Sequence, residues 1–143
     1  MHKFPLPVMI LGFMAPFLTA CAHGLINPPL AVDPAKAAAV TVIRPSHFVG
    51  VAAGYVVAVD GRDLFGLRSG EHVTFPVAPG EHLVAVIHPA WTASAAISAE
   101  PGERYYLEMR HSFLGDSRGL YRVSEPLALE IMKDTTPLAT EGH

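Results

Sequence analysis

The feature that most constrains this chain is the punctuation of its apolar runs. From Val40 onward, runs of about five to eight residues rich in Val, Ile, Tyr and Phe alternate with turn dipeptides at intervals of roughly ten residues, too short for packed helices and typical of a small sandwich or barrel. Asp60-Gly61 suits the positive φ angles of a tight hairpin, Ser69-Gly70 reads as a second hairpin turn, Pro79-Gly80 suits a type II turn, and Pro101-Gly102 marks a further turn. The strands predicted between them are residues 40–44, 55–59, 64–68, 72–77, 82–88, 95–99 and 104–110, with 120–123 as a short addition. The fold class is therefore mainly β: a small antiparallel β-sandwich of about seven strands. Residues 83–87 are apolar at every position, which predicts a strand inside a sheet, and Tyr105 and Tyr106 must point to opposite faces.

A short helix follows the strands. Ser124-Glu125-Pro126 has the order of an N-cap, an acidic first turn and an early proline, and the helix it opens runs to Lys133 with Leu127, Ala128 and Ile131 as its buried stripe. Gly70-Glu71-His72, Gly80-Glu81-His82 and Gly102-Glu103-Arg104 repeat one arrangement, a turn glycine followed by a polar pair at a strand start. The spacing is too irregular for a solenoid, so the repetition reflects hairpin chemistry.

With 143 residues, half of them hydrophobic, the chain can bury one core. Its single cysteine excludes an intramolecular disulfide. Lys and Arg number 10 against 13 Asp and Glu, without a basic run or aromatics interleaved with Arg, so no nucleic-acid partner is expected.

The N-terminus is organised differently. His2 and Lys3 precede an apolar stretch over residues 4–20 that is shorter than a membrane span and broken by Pro5, Pro7 and Pro16, the order of a signal peptide. Its end, Leu18-Thr19-Ala20-Cys21, resembles the lipobox of bacterial lipoproteins. The resemblance implies cleavage before Cys21 and acylation of that cysteine by fatty acyl chains such as palmitate. It also implies attachment to the cell envelope, with Ala22 after the cysteine favouring an outer-membrane lipoprotein that faces the periplasm. Each buried methylene contributes about 0.8 kcal/mol, so two or three chains make the attachment effectively permanent. The expected organisation is a signal peptide over 1–20, a lipid-anchored linker rich in proline and alanine over 21–39, a β-sandwich domain over 40–133 and a flexible tail over 134–143.

The succession Val57-Ala58-Val59-Asp60-Gly61, Gly70-Glu71, Val77-Ala78-Pro79-Gly80-Glu81-His82 and Pro101-Gly102-Glu103-Arg104-Tyr105-Tyr106 resembles PEGA-like and transthyretin-like β-sandwich domains, including a domain of unknown function found in bacterial lipoproteins. It spans about residues 40–132. The resemblance implies a fold and carries over no catalytic residue.

Three constellations bear on chemistry. Gly115-Asp116-Ser117-Arg118-Gly119 matches the pattern of a hydrolase nucleophile elbow, but an elbow leads from a strand into a helix, and a strand-like run follows this copy. His47, His72, His82, His88 and His111 offer ligands for zinc or copper, yet no pair has i, i+2 or i, i+4 spacing, so a site requires convergence from separate strands. Trp91, read as part of a loop, either caps one end of the sandwich or anchors a partner, and Arg110, His111 and Phe113 can face the same end. The functional expectation is a non-enzymatic binding or scaffolding module without a cofactor, held to a membrane through Cys21 and directed at an envelope protein or the cell wall. A metal-binding lipoprotein is the alternative, and a small serine hydrolase using Ser117 the least favoured reading.

Overall fold

The structure, a computed structural model, describes residues 23–46, 54–111 and 118–140. Among them are ten strands and one helix, arranged as two five-stranded sheets packed face to face. Sheet A has the order β1 (Gly24–Leu25), β4 (Arg62–Leu67), β3 (Tyr55–Val59), β6 (Gly80–His88), β7 (Trp91–Ala99). Sheet B has the order β10 (Thr136–Pro137), β5 (Glu71–Val77), β2 (Ala38–Arg44), β8 (Arg104–His111), β9 (Arg118–Val123). The helix α1 (Glu125–Met132) lies on the outer face of sheet B, where Ala128 packs with Ile43, Tyr106 and Val123.

Alternation along the strands builds the core. Val40 and Val42 of β2, Val57 of β3, Val84 and Val86 of β6 and Tyr105, Leu107 and Met109 of β8 all point between the sheets. Phe65 and Phe75, one from each sheet, meet with ring centroids 5.5 Å apart. Full burial of one such side chain contributes about 1.5–3 kcal/mol, and these packed pairs hold the two layers together. Tyr106, next to Tyr105, points outward beneath α1, as the two-residue period demands.

Several sequence expectations are revised. Of the four turn dipeptides, Asp60-Gly61 alone, with φ of 51° and 80°, joins neighbouring strands as a tight two-residue hairpin, while Ser69-Gly70, Pro79-Gly80 and Pro101-Gly102 carry the chain from one sheet to the other; Pro89-Ala90 makes a second two-residue hairpin, between β6 and β7. Sheet B is mixed, because β2 runs parallel to β8 and β10 parallel to β5. Trp91 opens β7, directly opposite His88, so it is not a loop residue. In α1, Leu127 is exposed, and the face toward the sheet is Ala128 with Ile131 and Met132. β6 is flanked by β3 and β7, as its sequence predicts, but its outer face is open and Leu83 is half exposed.

The expected linker and tail also join the fold. Leu25 pairs with Phe65, the Ile26 and Asn27 amides donate to the Leu64 carbonyl, Asn27 Nδ2 donates to the Asp63 carbonyl, and Arg62 donates to the Pro28 carbonyl. Ala38 and Ala39 already belong to β2. Thr136 and Leu138 donate amide hydrogens to the Gly70 and His72 carbonyls along β5. Composition misses these pieces because two residues of strand need only a free sheet edge, not an apolar period.

Candidate functional site

The corners between the sheets concentrate the polar chemistry of the domain. At the first, the Glu71 carboxylate takes the Arg68 amide on one oxygen at 2.7 Å and lies 3.0 Å from His23 Nε2 with the other. At the second, His82 Nδ1 lies 2.7 Å from Asp60 Oδ2 and its Nε2 lies 2.6 Å from the Ala78 carbonyl, while Asp60 Oδ1 accepts the Leu83 amide. At the third, the Tyr105 hydroxyl donates to the Ser98 carbonyl at 2.8 Å and accepts the Glu100 amide at 3.1 Å. Glu71 and His82 thus lock corners from the repeated positions recognised in the sequence, and at the third corner Tyr105, the residue just after the repeat, does so.

Electrostatics follow from these contacts. Burial disfavours a charged His82 ring, but the hydrogen bonds to Asp60 and the Ala78 carbonyl, with the charges of Asp60 and Glu81, outweigh it, and the His82 pKa is raised. Burial likewise disfavours the Asp60 carboxylate, but the hydrogen bonds from His82 and the Leu83 amide and the charge of His82 prevail, and its pKa is lowered. An imidazolium suits both acceptors at once and leaves no ring nitrogen free for a general base. Beside this pair lies a cavity of about 160 Å³ walled mainly by Leu30, Val59, Leu64, Pro76 and Val77, with Arg62 among its polar residues.

The opposite end of the sandwich is aromatic. Gly24, Gly66, Val56, Ile87 and Thr92 form one row in register across sheet A, and His23, Leu67, Tyr55, His88 and Trp91 stand just beyond it. Tyr55 contacts both His88 and Trp91 with ring centroids 5.2 Å apart, and Trp91 also packs against the core. The buried Arg44 lies 3.7 Å over the Tyr55 ring and donates Nη1 to the Leu67 carbonyl at 2.9 Å. Burial lowers the Arg44 pKa against the raising effect of Tyr55 and Glu71.

The proposed partner residues divide. Trp91, Arg110 and His111 reach this end, with Trp91 as its aromatic cap; Arg110 pairs with Glu108 at 2.7 Å and faces the Tyr121 ring on sheet B. Phe113, Cys21, His47, Gly115, Asp116 and Ser117 lie outside the described residues. Arg118 and Gly119 open strand β9, where a nucleophile elbow needs a helix. His72 bonds to Thr135, and burial lowers its pKa; among the described residues no three His, Cys, Asp or Glu side chains converge as a metal site. Nor, among them, is any helix long and apolar enough to cross a membrane.

Sequence reasoning missed Arg44 and the Asp60–His82 pair. A charged residue closing an apolar strand was the signal for the first, and two polar residues flanking separate glycine turns for the second. No family model matches the chain, and no curated protein matches it in sequence.

Proposed function

We propose that the chain is a lipid-anchored, non-enzymatic binding or scaffolding module of the bacterial cell envelope, attached through Cys21. The observation that supports it most is the junction between leader and fold: the lipobox-like Leu18-Thr19-Ala20-Cys21 ends two residues before His23, whose ring is bonded to Glu71 of the domain. A tether there holds an independently packed sandwich. Among the described residues, His82, Asp60 and Tyr105 are spent on corners of the fold, which is in keeping with a binding or scaffolding role. We further propose kinship with PEGA-like and transthyretin-like sandwiches, in keeping with the two-sheet architecture.

The test is expression of the full chain and of Cys21→Ser in a bacterium with an outer membrane. Intact mass and membrane fractionation are then compared. The reading expects an acylated mature N-terminus at Cys21 in the membrane fraction, and loss of both acylation and membrane retention in the variant. Retention of Cys21→Ser at the parent level removes the proposal.

A further inference from the structure

We infer that the aromatic end of the sandwich rests on the lipid headgroup surface, with the domain apposed to the bilayer instead of suspended from it; this rests on the proposed acylation of Cys21.

The argument is one of reach. His23 is bonded to Glu71, Gly24 and Leu25 are paired with β4, and the following residues through Pro28 are fixed to that strand by further hydrogen bonds. The spacer expected from the proline and alanine content is therefore consumed by the fold, and its free part ends at His23. Two residue steps separate Cys21 from His23, a span of at most about 7 Å. Acyl chains on Cys21 occupy the hydrocarbon, and the polar layer above it is about 5–7 Å thick. His23 consequently stands at the level of the headgroups, and the end of the sandwich it belongs to stands there with it.

The chemistry of that end fits a membrane surface. His88 and Trp91, partly exposed, lie toward the far side of the same register row, three and four strand spacings or roughly 14 and 19 Å from His23. Tryptophan and other amphipathic rings favour the interface between water and hydrocarbon. Arg68 is exposed at this end and can meet lipid phosphates, whereas Arg110 is paired with Glu108 and the neighbouring surface also carries Glu130 and Asp134, so the aromatic rings carry the argument more than charge does. The Asp60–His82 corner and its cavity lie at the opposite end, facing away from the bilayer.

Trp91 is the only tryptophan of the chain, so its fluorescence reads the distance. The acylated full chain is reconstituted into phosphatidylethanolamine–phosphatidylglycerol vesicles carrying a dansyl group on some headgroups, and energy transfer from Trp91 is measured. The comparison is a chain with about twenty Gly and Ser residues inserted between Ala22 and His23, which adds roughly 25 Å of reach outside the fold. Strong transfer in the parent, falling at least severalfold with the spacer, is the expected result. Weak transfer in an acylated parent, or equal transfer in both chains, overturns the inference alone. A Cys21 found unacylated by mass overturns the attachment reading and this inference with it.

Discussion

Asp60 and His82, twenty-two residues apart, meet at 2.7 Å and join the β3–β4 hairpin to the corner that leads into β6. Asp60 holds a positive φ of 51° while its two carboxylate oxygens engage His82 and the Leu83 amide, so its side chain fixes both its own turn and the neighbouring one. A ring protonated on both nitrogens serves the Asp60 carboxylate and the Ala78 carbonyl together, and an ionised carboxylate adds charge attraction to that arrangement. The raised His82 pKa contributes stability that is complete below the unfolded value of about 6.5 and is lost as pH rises through the folded value. The lowered Asp60 pKa contributes stability that is present above about 3.9 and is lost as pH falls through the folded value. Urea denaturation is expected to find this contribution largest between about pH 4 and 6.5. Asp60→Asn is expected to remove the decline on the alkaline side, a change of about 1 kcal/mol or less because the carboxylate is half exposed. An unchanged pH profile in that variant would refute the assignment.

Tyr105 is buried in the core, yet its hydroxyl serves the Ser98 carbonyl and the Glu100 amide at the corner between β7 and β8. Phenylalanine fills the same space and leaves both groups without that partner. Tyr105→Phe is expected to lower stability by about 1–3 kcal/mol with no change of fold, measured by urea midpoint and circular dichroism.

Arg44 combines a stack on Tyr55 with a hydrogen bond to the Leu67 carbonyl. Lysine keeps the charge but loses the planar group, so Arg44→Lys is expected to cost about 1–3 kcal/mol in chemical denaturation. The exposed Arg68→Lys is expected to change stability by less than about 0.5 kcal/mol, and similar losses at both positions would contradict the buried role of Arg44.

Gly119 on edge strand β9 lies beneath the Tyr121 ring, and a Cβ there would overlap it. Gly119→Ala is expected to push the exposed Tyr121 ring off its place near Arg110 at a cost of about 1 kcal/mol or less, because the far end of that side chain can swing into solvent. A Gly119→Ala, Tyr121→Ala double variant should recover part of that loss, because the obstructing ring is gone. Additive losses in the double-mutant cycle would argue against the overlap.

The sequence makes strands legible wherever one face is buried, since the apolar period of two survives in residues 73–77 of β5 and in β7. It makes turns legible as turns, through glycine and proline, but not their destinations. Ser69-Gly70 looks like a hairpin because its backbone chemistry is local, whereas the transfer of β5 to the other sheet depends on pairing with β2. Leu127 fits the helical stripe, but packing on a sheet at the Ala128 face leaves it outside. Trp91 and Arg110 were recognisable as unusual residues; that Trp91 joins Tyr55 depends on register between strands distant in sequence. The proline-rich segment after His23 reads as a spacer because its composition carries no information about an open edge on β4.

The parallel pairing of β2 with β8 sets Ala39 beside Arg104, although β5 pairs with β2 much earlier in the chain. A polypeptide threaded across a membrane from its N-terminus therefore cannot complete the centre of sheet B until most of its length has emerged. For a protein exported as proposed, the sandwich then closes only after residues 104–111 have emerged, on the far side of the membrane.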